Sequence, residues 1–138
     1  MNPLFLGLAA GGIAIIVVLH YLLGQTKTRE MPQEQEIRDR FHAAIGEMPE
    51  DLALCKTMAF ALDRKGEQIW VLFVHGLHLN LRSYRRSSIR SLRVQGTPPC
   101  LDLHVRSFDR GRFCDTLRED QQAQAARLCE IVASWGAA

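Results

Sequence analysis

The body of this 138-residue chain is predicted to be a small α+β domain held behind one N-terminal transmembrane helix. Three observations predict it. The first 24 residues contain no Lys, Arg, Asp or Glu, so all 17 basic and all 15 acidic residues lie after them. From about Leu52 to Cys114 apolar residues recur in short runs and alternations of period two, as in strands. After Thr116 the period returns to that of a helix. The layout has three parts: residues 1–24 form an anchor, residues 25–50 a juxtamembrane linker with a short amphipathic helix, and residues 51–138 a sheet-plus-helix domain. The expected sheet is antiparallel, as a small sheet or partly open barrel closed by a C-terminal amphipathic helix. A chain of this length holds one such domain.

Pro3 to Gly24, PLFLGLAAGGIAIIVVLHYLLG, is the anchor. At about 1.5 Å per residue it spans roughly 33 Å as a helix, enough to cross a hydrocarbon core of roughly 30 Å. Met1-Asn2 supplies no basic n-region, the apolar run exceeds a signal-peptide core, and no small-residue cleavage site follows, so retention is expected. Lys27, Arg29, Arg38 and Arg40 flank only the C-terminal side, which places the domain in the cytoplasm and the protein in the cell membrane as a single-pass chain. Gly7 and Gly11 form a GxxxG spacing through which two such helices would approach, making a homodimer one possible partner arrangement. His20 and Tyr21 read as interfacial side chains at headgroup depth.

QTKTREMPQEQE, residues 25–36, is a polar linker. Ile37, Phe41, Ile45 and Met48 then recur at helical spacing, predicting a helix from Gln33 to about Glu47, stopped by Gly46 and Pro49, that packs on the domain, the commoner case, or lies on the membrane surface. Residues 57–62 form the first candidate strand, and Asp63-Arg64-Lys65-Gly66 a turn. Gln68–Val74 is the most apolar strand of the body; His75-Gly76 turns it, and Leu77–Arg82 alternates with its leucines inward. Ser88–Gln95 is a further strand, ended by Gly96-Thr97-Pro98-Pro99. Leu101, Leu103 and Val105 alternate with Asp102, His104 and Arg106 in a half-buried strand, and Phe108–Cys114 makes a corner and a short last strand. Thr116-x-x-Glu119 has capping-box spacing. Leu117, Ala125, Leu128, Val132 and Trp135 mark the apolar stripe of an 18-residue helix ending at Gly136.

Strands, a basic segment, more strands and a terminal amphipathic helix follow one another from about Leu52 to Trp135. In that order the chain resembles a pleckstrin-homology-like domain, particularly the small bacterial kind that follows membrane spans. Ser87-Ser88-Ile89-Arg90-Ser91-Leu92-Arg93-Val94 is similar to the strand of those domains that begins with a polar pair and an Ile, and Trp135 falls where the closing helix of the family often carries a Trp. The resemblance implies the fold, a small sheet closed by a helix behind a membrane span. It implies no phosphoinositide specificity, because the first hairpin offers only Arg64 and Lys65.

Arg82, Arg85, Arg86, Arg90 and Arg93 are the strongest charge feature, with no acid between them. They suit anionic lipid headgroups or an acidic protein partner; as a solvated segment they would instead pair with acids of the last helix. Tyr84 alone is too little aromatic surface for stacking on single strands, and a net charge of +2 argues against nucleic acid. Cys55, Cys100, Cys114 and Cys129 show no CxxC and no zinc spacing. In a reducing cytoplasm they are core thiols, whereas outside the cell they would allow two disulfides. His75, His78 and His104 lack ligand partners at metal spacing. No GxSxG, HExxH, Walker or dinucleotide glycine pattern occurs. A non-enzymatic binding or scaffold role without a cofactor is therefore expected, the alternative being a structural subunit of a larger membrane complex with no ligand of its own.

Overall fold

The sheet that organises the domain is apolar on both faces, and its sequence accounts for that. In the computed structural model, which describes residues 13–19, 30–106 and 111–136, strands β1 (Leu52–Leu54), β2 (Met58–Asp63), β3 (Gln68–His75) and β4 (His78–Arg85) pair antiparallel in sequence order. Met58, Phe60 and Leu62 of β2 and Ile69, Val71 and Phe73 of β3 enter one core, while Ala59, Ala61 and Leu72 enter another on the opposite face. Runs such as MAFAL and IWVLFV are what a strand covered on both sides requires.

Helix α1 (Glu34–Ile45) covers the outer face. Ile37 and Phe41, one turn apart, are fully buried there against Leu52, Leu54, Ala59, Ala61 and Leu72. The two alanines leave room for the Phe41 ring, which larger strand residues would displace. Glu34–Arg38 and Glu36–Arg40 pair along the solvent side at 2.9 and 3.5 Å. Gly46, at φ +93°, ends the helix in the left-handed conformation and donates its N–H to the His42 carbonyl.

The inner face packs on a second antiparallel sheet, β5 (Ile89–Gln95), β6 (Cys100–Val105) and β7 (Arg112–Thr116), paired in that order. Leu92, Leu101, Leu103, Val105 and Phe113 fill the space between the sheets, joined by Ala125, Leu128, Val132 and Trp135 of the closing helix α2 (Gln122–Ser134) and its C-cap. The rings of Phe73 and Tyr84 each lie 5.6 Å from that of Phe113. Two buried aspartates lock the periphery. Asp51 takes a two-point contact from Arg64 and a third bond, of 3.0 Å, from Arg127. Asp102 is held by Arg112 through two bonds of 3.0 and 2.9 Å, by Gln95 at 2.7 Å and by His104 at 3.4 Å.

The α+β class with its antiparallel strands and terminal helix is as expected, but three details differ. The strands form two sheets of four and three, with no closed barrel; the edges of β1 and β7 meet only at a corner where Cys55 bridges Leu117. Thr116-x-x-Glu119 is not a helix cap. Thr116 ends β7 opposite Cys100, α2 begins six residues later, and the Gln121 carboxamide accepts the Leu54 N–H at 3.1 Å. Leu117 accordingly belongs to the corner rather than to the helix stripe. In β4, Leu79 and Leu81 join the core under α1, while Tyr84 joins the core between the sheets, so the apolar side of this strand is the one α1 covers. Leu77 is exposed in the turn, where Gly76 takes φ +61°.

Residues 13–19 are helical and exposed throughout. No helix among the described residues is long and apolar enough to cross a membrane. The remainder of the span expected at Pro3–Gly24, including Gly7, Gly11, His20 and Tyr21, lies outside the described residues, as do residues 108–110 of the expected corner.

Candidate functional site

The five arginines singled out in the sequence do not form one patch. Arg82 lies on β4 opposite Val71, its guanidinium 5.6 Å from the centroid of the Phe73 ring. A planar cation over an aromatic face adds a modest attraction. Arg93 is on the other sheet, opposite Asp102 in the β5–β6 pairing. Since β5 alternates faces, Arg93 shares its side with Asp102 and His104, turned away from the core that receives Leu92.

Arg85, Arg86 and Arg90 gather at one end of the molecule, where β4 passes into β5 through a single 3-10 turn, Arg86–Ser88. Arg85 closes β4 opposite Gln68. Arg90 occupies the irregularity between Ile89 and Ser91, where the register slips by one residue and the extra side chain is pushed out of the pleat. Both are exposed. Arg86 has a different task. Its N–H donates to the Glu67 carbonyl at 2.9 Å, and its Nη1 meets the Glu67 carboxylate at 3.0 Å. Its Nη2 would stand 3.6 Å from a Cβ placed on Gly136, just past α2. Arg86 is thus held by the β2–β3 turn and lies beside the end of the closing helix. The acid that pairs with it comes from that turn and not from the last helix.

A further member was not recognised in the sequence. Arg106 follows β6, and its N–H donates to the Ser88 carbonyl at 2.7 Å, which sets it beside the turn that carries Arg85 and Arg86. Only the β5–β6 register places it there; alternation along β6 marked Arg106 as outward-facing without saying what it stood next to. Gly66, Glu67, Gln68, Arg85, Arg86 and Ser87 line a shallow, open groove of about 530 Å³ at this end. Arg64 and Lys65, also nearby in sequence to the groove, are committed to Asp51 and Glu47. Among the described residues no ion pair engages Arg82, Arg85, Arg90 or Arg93. The site is therefore three exposed arginines, Arg85, Arg90 and Arg106, around a turn that the Glu67-paired Arg86 holds, with Arg82 along the adjoining strand and Arg93 on a separate face. Guanidinium forks of this kind bind phosphate or carboxylate oxygens, and their exposure suits a diffuse anionic surface better than one enclosed headgroup.

The cysteines are all free thiols, but they are not all in the core. Cys55 is fully buried and its thiol is pushed up to about 12, chiefly by loss of solvent and further by Asp115 and Cys100. Cys129, half-buried, and Cys114, exposed, are both raised, again first by desolvation. A thiol held protonated is a poor nucleophile and a poor ligand. His75 and His78 face each other across the mouth of the β3–β4 hairpin, and His104 leans on Asp102. Among the described residues no three His, Cys, Asp or Glu side chains are grouped so as to hold a metal ion. No known protein family, curated protein or solved structure matches the chain.

Proposed function

We propose that this protein is a membrane-tethered binding module with no catalytic role, a pleckstrin-homology-like domain whose basic end contacts the anionic leaflet to which the chain is anchored. The observation that carries the tether is the helical segment at residues 13–19. Ile13, Ile15, Ile16, Val17, Val18 and Leu19 are each more than half exposed, and a helix that is apolar on every side belongs in lipid or in a protein core. The domain core is already filled by α1, α2 and both sheets, so lipid is the fitting environment. The resemblance is drawn on the order of the elements, strands interrupted by the arginine turn between β4 and β5 and closed by α2. The role assigned to the basic end rests on Arg85, Arg90 and Arg106.

Two experiments test this. The full chain should stay with membranes through alkaline carbonate washing, and a chain beginning at residue 30 should not. In flotation with vesicles containing phosphatidylglycerol, the fragment 30–138 should bind in a salt-sensitive way. Replacing Arg85, Arg90 and Arg106 with Glu should weaken binding at least 100-fold, since each basic residue near an anionic surface contributes about 1 kcal/mol. Release of the full chain by carbonate refutes the anchor. Vesicle binding unchanged by the three substitutions refutes the leaflet contact, and recovery of the intact protein with other chains at fixed ratio would then make it a structural subunit.

A further inference from the structure

We propose that the free edge of β4 is a docking edge for an extended peptide strand of a partner protein, one in which acidic and apolar residues alternate. The other edge strands have neighbours in the fold. β1 and β7 seal each other: Cys55 bridges Leu117, the Lys56 N–H donates to the Thr116 carbonyl at 2.9 Å, and the Arg118 N–H donates to the Leu54 carbonyl at 3.0 Å. β5 is flanked by α2, which packs against it. β4 is eight residues long, ends its sheet, and has no strand partner on its outer side among the described residues.

The register says which groups that edge offers. The Arg86 N–H reaches the Glu67 carbonyl, and the same pairing runs back to His78 opposite His75. Antiparallel pairs exchange hydrogen bonds at every second position, so His78, Asn80, Arg82 and Tyr84 bond to β3. Leu79, Leu81, Ser83 and Arg85 therefore turn their N–H and carbonyl groups outward, in the spacing an added strand requires.

Side chains on the two faces of this edge select the strand. On the outer face Leu79 and Leu81, with Arg40, Ala43, Ala44 and Leu72, line an apolar groove of about 330 Å³ between α1 and the sheet. On the inner face Arg82 extends over Phe73. β4 carries His78, Arg82 and Arg85 and no acid. Charge complementarity thus favours a strand that places apolar side chains beside the groove and carboxylates beside Arg82. It also disfavours a second copy of this chain. Of the two central registers that would match the outward groups of two β4 strands, the one centred on Arg82 sets Arg82 against its own counterpart, where like charges directly opposite are destabilising, and the one centred on Leu81 leaves both copies of Arg82 on one face with no acid between them. Long bare edges are usually blunted by Pro, bulges or shortness. β4 has none of these; arginine is its one safeguard, and it is a safeguard that an acidic strand removes.

The test uses the full chain in nanodiscs of zwitterionic phosphatidylcholine, so that anionic lipid does not compete. The probe is a fluorescein-labelled decapeptide of alternating Asp and Val, with an alternating Lys and Val peptide as control. Anisotropy should report binding of the acidic peptide only, and amide exchange at Leu79, Leu81, Ser83 and Arg85 should slow when it binds. Arg82→Glu should weaken binding by at least about tenfold, as an attractive charge becomes repulsive. Ser83→Pro, which removes an outward N–H and no bond to β3, should weaken it as well, and Arg93→Glu on the other sheet should not. Because amide exchange is read on the unaltered chain, the proposal does not depend on either variant folding. No binding up to millimolar peptide overturns it. So does binding that leaves the β4 amides unprotected and is lost with Arg85→Glu and Arg90→Glu, which would assign the peptide to the basic end. Protection of β4 without peptide that grows with protein concentration would assign the edge to a second copy and overturn it too.

Discussion

Asp51 offers a measurement in which two small losses should combine into a large one. Its side chain is 1% exposed, yet it is shared by Arg64 from the β2–β3 turn and Arg127 from α2, which are 46% and 60% exposed. Its carbonyl also accepts the Leu62 N–H at 3.1 Å, so the residue cannot easily move out to water. Removing either arginine leaves the carboxylate neutralised by the other, and the lost partner was half in solvent. Arg64→Ala or Arg127→Ala alone should therefore cause only a small loss of stability. Removing both leaves a buried carboxylate with no counter-charge, for which a loss of about 3–5 kcal/mol is expected. The coupling between the two sites should thus exceed about 1 kcal/mol, beyond the few tenths by which independent sites deviate from additivity. Urea unfolding of the fragment 30–138, read by Trp70 and Trp135 fluorescence at constant m-value, measures all four corners of the cycle. If the double variant equals the sum of the singles within about 0.5 kcal/mol, then Asp51 is solvated after all and the reasoning fails.

Phe113→Ala should remove the ring against which Phe73 and Tyr84 pack, at about 3–5 kcal/mol and a fall in Tm of more than about 12 °C by calorimetry. Tyr84→Phe should be neutral or stabilising by about 1 kcal/mol, because the Tyr84 hydroxyl is buried without a hydrogen-bond partner among the described residues; a loss above that size would show that it has one. Cys55 gives a pH dependence. Its thiol is pushed up from 9.0 to about 12 in the folded chain, so its contribution is fully present below pH 9 and is lost as pH rises toward 12. Unfolding free energy should accordingly fall across that range, and less steeply in Cys55→Ala. A maleimide reagent at neutral pH should label Cys114 in the native chain and reach Cys55 only on unfolding; native labelling of Cys55 would contradict its burial.

Local signals made most of the elements legible. Gly46 after an apolar stripe, the run QIWVLFV, the His75-Gly76 turn and the alternation from Leu101 to Val105 each found their place within a residue or two. β1 was not legible, since Leu-Ala-Leu is too short to show a period and becomes a strand only by pairing with Ala59–Ala61. Thr116 misled for a related reason: its spacing to Glu119 satisfied a helix cap, but pairing to Cys100 claimed it for β7. The leucines of β4 alternated as expected, and sequence could not tell which side was interior because α1 makes the outer face a core of its own. The candidate site was half legible. Five arginines were visible as a run, but a strand edge, a turn and a second sheet divide them, and Arg106 joins from sixteen residues beyond Arg90 through a pairing no local pattern records.

The corner where β1 meets β7 bears on the order in which the chain folds. Every pairing in the first sheet joins neighbours in sequence, whereas the corner joins Thr57 to Asp115 and Leu54 to Gln121, partners 58 and 67 residues apart. Strands β1–β4 can therefore pair as soon as Arg85 has been synthesised, but the inner face of that sheet stays bare until the second sheet and α2 arrive. α1, made before any strand, is ready to cover the outer face at once. A nascent chain halted after Arg85 should then expose one apolar face rather than two, and protease or dye probing of such chains, with and without Phe41→Asp, would show whether α1 serves as that early cover.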